Sequence, residues 1–200
     1  KFTNYQNIES PALYTELCKE NVISGSAKGQ NKNQVKYLNP GTGEFLYPTD
    51  IVITKNPFKD EQLMMITDMG NNRVSIFKKY KIGFERRFRF FRFLGDSEEI
   101  INPISITVSV TGKVYVLEGN FMDTEGQKIK IFYPEKDENL NNSSKINYKI
   151  DSSKEIVLKK LDKIKNIRAV KIRIDDKGML AICDVNNEKI HILGEKINNL

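Results

Sequence analysis

The chain has 200 residues, of which 39% are hydrophobic and 29% charged, with a formal net charge of +6 and no tryptophan. No apolar run reaches membrane-spanning length and the start is not a signal peptide, so an integral membrane protein is not the expectation. Lys, Asn and Ile dominate, and all three have AT-rich codons; the positive charge therefore argues for nucleic-acid binding less than it otherwise would.

In chain order, Ser10–Glu20 reads as a short helix, with Ser10 as cap, Pro11 in the first turn and Leu13 and Leu17 on one face. Ser24–Asn33 has the composition of a flexible linker, so residues 1–33 form an N-terminal helix and linker. From residue 34 to 200 the pattern is all-β. Gln34–Leu38 reads as a strand, and Pro48-Thr-Asp-Ile-Val-Ile opens another. Met64–Asp68 follows after an expanded turn, then Arg73-Val-Ser-Ile-Phe77, then Glu85–Leu94. Proline suits the mouth of a strand because that residue need not donate to the ladder.

The order then repeats. Pro103-Ile-Ser-Ile-Thr-Val and Ala169-Val-Lys-Ile-Arg-Ile match Pro48–Ile53 at separations of 55 and 66 residues. Glycine-bearing turns, Ser109–Gly112 and Asp175–Gly178, lead to Val114–Glu118 and Leu180–Asp184. Lys128-Ile-Lys-Ile-Phe132 and Lys189-Ile-His-Ile-Leu193 repeat the phrase at Arg73–Phe77, each implying one buried face. The fourth strand of the second copy has two candidates, Ser144–Ile150 and Glu155–Lys160; the second is favoured because it stands nearer Ala169. Pro134–Ser153 reads as a polar, mobile insertion. Four short antiparallel strands repeated at this period describe blades of a β-propeller, over about 48–95, 103–160 and 169–193.

Ile66-Thr-Asp-Met-Gly-Asn-Asn-Arg-Val-Ser-Ile-Phe77 resembles the core of the NHL repeat: an acidic residue, a Gly-Asn-Asn turn, then Arg-Val-x-Val-Phe. Gly43–Pro48 resembles the lead-in to such a repeat, and the resemblance extends over about 34–193. The second copy lacks the Asn-Asn turn and the third has Ala169 in place of proline. Three blades fall short of the roughly four to eight of a closed ring. The expectation is therefore a segment of a larger protein, with blades supplied by another chain as the alternative.

Asp68, Glu118 and Asp184 recur at one blade position, ahead of Arg73, Lys128 and Lys189. A ring of metal-binding carboxylates is one reading, after lactonase-type propellers; the favoured one is structural, each acid satisfying turn amides or pairing with its base. His191 is the single histidine, and its alternation opposes it to Ile190 and Ile192. One histidine cannot make the zinc site of an amidating lyase of the NHL type. No Ser-His-Asp set, phosphate loop or Cys-x-x-Cys appears, so the segment does not read as an enzyme and no cofactor is expected. A metal-dependent hydrolase or lyase would need ligands from further blades. Cys18 and Cys183 stand in different elements and demand no oxidising compartment; the cytoplasm is the default.

Four of the seven arginines, Arg86, Arg87, Arg89 and Arg92, fall in one strand among phenylalanines. A solvated rim, a protein-docking surface including Phe91, and an RNA contact of stacked guanidinium and aromatic groups are all compatible with that pattern. The Phe90-Phe91 doublet breaks the alternation and implies a bulge or a second apolar face covered by a partner. The resulting expectation is a non-enzymatic interaction scaffold for protein partners within a larger complex, with RNA binding as the alternative.

Overall fold

A computed structural model of the chain describes residues 45–82, 85–94, 99–120, 122, 126–136, 146–161 and 166–194. The expected helix, linker and strand before residue 45 lie outside the described residues, together with Cys18 and the side chains of Arg86, Arg87 and Arg89. The described chain folds into three antiparallel sheets, each wound in chain order. Sheet 1 contains β1 (Pro48–Lys55), β2 (Gln62–Asp68), β3 (Arg73–Ile82) and β4 (Glu85–Phe93). Sheet 2 contains β5 (Pro103–Val108), β6 (Val114–Glu118), β7 (Lys128–Lys136) and β8 (Ile146–Ile150), with β9 (Ile156–Val157) also paired to β7. Sheet 3 contains β10 (Ala169–Ile174), β11 (Leu180–Asp184) and β12 (Lys189–Leu193). Among the described residues no helix is long and apolar enough to cross a membrane.

Local chemistry sets these hairpins. Gly112 and Gly178 both have φ +82, and their amides close turns on the carbonyls of Ser109 and Asp175. A side chain would be strained there. Each first strand opens with the same register shift, one residue after its start, so that Thr49, Ile104 and Val170 stand outside the ladder. The acid and the base of the repeated phrase are cross-strand partners in all three sheets: Asp68 faces Arg73, Glu118 faces Lys128 and Asp184 faces Lys189. The ten-residue spacing in sheet 2 is therefore a longer loop grafted on an unchanged register.

Two expectations are corrected in sheet 2. The outer neighbour of β7 is β8, which pairs Ile146–Ile150 with Lys136–Phe132. The favoured candidate, Glu155–Lys160, supplies only the two-residue β9 against Lys128 and Ile129, followed by a 3-10 turn over Leu158–Lys160. The two segments occupy successive stretches of one edge, with a 3-10 turn at Ser152–Lys154 between them. The physical reason is that Ile146 and Tyr148 lie on one face and have a core to enter. For the same reason Pro134–Ser153 is not a single loop, since Pro134–Lys136 and Ile146–Ile150 are paired strand.

The sheets stack through alternating faces. Leu63, Met65, Val74 and Ile76 of sheet 1 form one core with Ile106, Val114, Val116 and Phe132 of sheet 2. The opposite face of sheet 2, with Leu117, Ile129 and Ile131, forms a second core with Ile172, Leu180 and Ile182 of sheet 3. Fully burying one such side chain contributes about 1.5–3 kcal/mol. The two outermost faces are different. On sheet 1, Ile51 and Ile53 are 49% and 57% exposed although Met64 and Phe77 on the same face are buried, while Ile190 and Ile192 on sheet 3 are 67% and 55% exposed. The third copy of the phrase therefore turns its isoleucines outward and His191 inward, because no described element covers that face.

Candidate functional site

The first strands β1, β5 and β10 lie side by side, and Asp50 is where they meet. Its Oδ2 accepts from Ser105 Oγ at 2.6 Å, from the Ile106 amide at 3.0 Å and from Arg173 Nη1 at 3.1 Å. Its Oδ1 accepts from the Ile51 amide at 2.8 Å and from Lys171 Nζ. Ser105 Oγ in turn accepts from the Ile172 amide at 3.1 Å, so one relay runs from sheet 3 through sheet 2 to sheet 1. Arg173 also donates to the carbonyls of Ile106 and Ile172. Burial acts to raise the Asp50 carboxyl, but Arg173, Lys171, Ser105 and the Ile106 amide together hold it well below the usual carboxylate range. Asp50 was not among the sequence candidates. The signal was present: the third position of the three first strands reads Asp50, Ser105, Lys171, with opposite charges in the outer copies.

The repeated acids close each sheet locally. Asp68 accepts from the Leu46 amide at 2.7 Å, Asn71 Nδ2 at 2.7 Å and Arg73 Nε at 2.8 Å. Burial raises its carboxyl in spite of Arg73 and these hydrogen bonds. Glu118 accepts from the Ile101 amide at 3.0 Å and pairs with Lys130 at 2.9 Å, closer than Lys128 at 3.6 Å. Burial opposes the charge on Lys128, yet Glu155 and Glu118 hold its ammonium above its ordinary value. Each acid thus receives the amide entering its own first strand. The next residue's amide repeats the pattern: Met69, Gly119 and Val185 donate to the carbonyls of Tyr47, Asn102 and Arg168.

In sheet 3 the expected partner Lys189 is replaced. Asp184 takes the amides of Arg168 and Asn186 at 3.1 Å, Asn187 Nδ2 at 2.6 Å, and His191 Nε2 at 2.9 Å, while Lys189 is exposed. An ionised carboxylate only accepts, so the ring nitrogen donates. His191 lies two residues beyond Lys189 on the same face of β12, the place from which Lys130 reaches Glu118 in sheet 2. Burial works to raise the Asp184 carboxyl, but Asn187, His191 and the backbone amides outweigh it and bring it from 3.8 down to about 2. A depressed carboxyl contributes stability that is complete above the unfolded value and is lost as pH falls toward the folded one. Between pH 4 and pH 2 the protein is expected to lose about 2 kcal/mol that an Asp184→Asn variant does not lose. Urea unfolding of both proteins at the two pH values measures this, and equal losses would refute it.

No family model matches the chain, and no curated protein matches it. Among the described residues, no three His, Cys, Asp or Glu side chains come together as a metal site. Asp68, Glu118 and Asp184 each stay within their own sheet. Cys183 carries a free thiol on β11.

The arginine-rich strand divides. β4 bulges so that Ile76 faces Arg92 and Phe77 faces Phe90, leaving Phe91 as the extra residue. Phe91 packs against the core between sheets 1 and 2, so of the two explanations for the phenylalanine doublet the bulge is the one found. Arg92 donates to the Ile146 carbonyl of sheet 2 at 2.9 Å and to the Phe93 carbonyl at 3.2 Å. Arg86 and Arg89 stand opposite Lys81 and Lys78 in register, and Arg87 stands opposite Tyr80.

Proposed function

We propose that the three sheets are consecutive blades of an NHL-type β-propeller and that the chain is a non-enzymatic protein-interaction scaffold. The blade reading rests on the inter-sheet joint, which recurs: Asp50 Oδ2 accepts the Ile106 amide as Ser105 Oγ accepts the Ile172 amide. Stacked blades give a rigid body whose edges and faces form a broad recognition surface.

One observation carries the docking role. At the outer edge of sheet 1, Lys81 opposes Arg86 and Lys78 opposes Arg89. Like charges directly opposite one another destabilise a strand pair; Lys78 is paired with Glu61 at 2.7 Å. An acidic protein surface docking on this edge would relieve that repulsion. The triple variant Arg86→Glu, Arg87→Glu, Arg89→Glu is expected to lose its pull-down partners, with circular dichroism unchanged and stability shifted by less than about 0.5 kcal/mol. Retained partners would sink the proposal. Arg92 is left out because it ties β4 to sheet 2. The same basic row is what favours single-stranded RNA as a second reading; salt-sensitive retention of RNA on a filter, abolished by the triple variant, would select it.

A further inference from the structure

We infer that the partner of the basic edge is an extended acidic polypeptide segment, which adds beside β4 as a further strand of sheet 1. The inference rests on the docking role proposed for that edge and adds the form and chemistry of what docks.

The charge of the chain is concentrated in one hairpin. From Arg73 to Phe93 there are three lysines and five arginines against a single acid, Glu85, a net +7. The whole chain carries +6, so all its other residues together carry −1. Within this hairpin β4 is the terminal strand of sheet 1, and no described strand pairs with its far side. Beyond Phe90 the strand is committed elsewhere: Phe91 is the bulged residue packed into the core, and Arg92 donates to the Ile146 carbonyl of sheet 2. The stretch left open is Glu85–Phe90, the length of an ordinary strand.

Register decides between a ligand laid over a face and one added at the edge. Ile76 faces the core between sheets 1 and 2. Alternation puts Lys78 and Tyr80 on that same face, opposite Arg89 and Arg87. Lys79 and Lys81 belong to the other face, opposite Phe88 and Arg86. Basic residues therefore occupy both faces at successive positions. A ligand stacked over one face, as single-stranded nucleic acid is, meets only half of them. A strand beside β4 alternates its own residues between the two faces, and so stands next to Arg86 on one and Arg87 and Arg89 on the other. Acids at its successive positions would form opposite-charge cross-strand pairs, which stabilise a strand pairing where like charges weaken it. Two of the β3 cations are held inside the hairpin, Lys78 over the Tyr80 ring at 5.5 Å and Lys79 over Phe88 at 5.8 Å. Basic residues on an edge strand ordinarily guard it against stray pairing. The guard is selective by sign, because it penalises a basic strand and favours an acidic one.

Fluorescence anisotropy of the full chain with two labelled peptides tests this: hexaglutamate, and hexaglutamate N-methylated at every residue. The charges are equal, but only the first can make strand hydrogen bonds. The wild type is expected to bind hexaglutamate, more weakly as salt is raised, and to bind the N-methylated peptide at least about tenfold more weakly, since main-chain hydrogen bonds supply the affinity of an added strand. Arg86→Glu/Arg87→Glu/Arg89→Glu should also lose hexaglutamate, with circular dichroism unchanged. Hydrogen exchange should slow within Glu85–Phe90 when hexaglutamate is added, and stay the same in β12. Equal affinity for the two peptides, no binding of hexaglutamate, or capture of oligouridylate in its place would overturn the inference. The docking role stands or falls separately, because loss of pull-down partners by the triple variant does not depend on strand addition.

Discussion

Replacing Asp50 by alanine is expected to destabilise the protein by about 3–5 kcal/mol. The carboxylate is buried and satisfies donors from both other sheets at once: Ser105 and the Ile106 amide of sheet 2, and Lys171 and Arg173 of sheet 3. Its removal leaves the Ser105 hydroxyl and a buried amide without their acceptor and two cations beside each other. The cost falls on the partners that stay behind rather than on the pair itself. Lys171→Ala and Arg173→Ala should cost less than about 1 kcal/mol each, because their side chains are 38% and 48% exposed. Asp50→Asn, which keeps shape and one acceptor oxygen, should fall between. Urea unfolding with a shared m-value measures all four. A loss below about 1 kcal/mol for Asp50→Ala would show that the three strands are held by apolar stacking alone.

Truncating the last residue of the repeated phrase should give a steep gradient across the sheets. Phe132→Ala is expected to cost about 3–5 kcal/mol. Phe132 is fully buried, placed between Val114 and Ile150 and packed against sheet 1. Leu193→Ala, at the same place in sheet 3, should cost about 1 kcal/mol, since Leu193 is only partly buried at the margin of its core. Thermal or urea unfolding compares them, and equal costs would contradict the packing described here. The contrast is informative because the sequence phrase is nearly identical at the two sites.

That contrast shows what the sequence discloses and what it does not. Strand positions, turns and the acid-to-base register were legible, because alternation, glycine and proline act over a few residues. The first strand of every sheet begins at the residue expected from Pro48, Pro103 and Ala169. The partner of Asp184 was not legible. Spacing favours Lys189, but the residue two further along the same face of β12 is the one that reaches the carboxylate, as Lys130 does in sheet 2. Alternation alone likewise hides the exposure of Ile190 and Ile192, whose pattern matches that of the buried Ile129 and Ile131. Asp50 was the largest omission. A lone acid in a first strand looks like a solvated position until Lys171 and Arg173 are brought to it. The outer edge of sheet 2 follows the apolar face of Ile146 and Tyr148, which proximity in sequence to Ala169 does not reveal.

The Asp50 junction also bears on how the molecule comes apart. In stacked repeats each unit touches only its neighbours, so unfolding can begin at an end and spread one unit at a time. Asp50 joins residues 121 and 123 positions away, across an intervening sheet. Freeing sheet 3 therefore disturbs sheet 1 directly, and a chain lacking either outer sheet leaves the carboxylate or its cations without a counterpart. The three sheets should melt together as one cooperative transition, and during folding the junction cannot assemble until the last of them is in place.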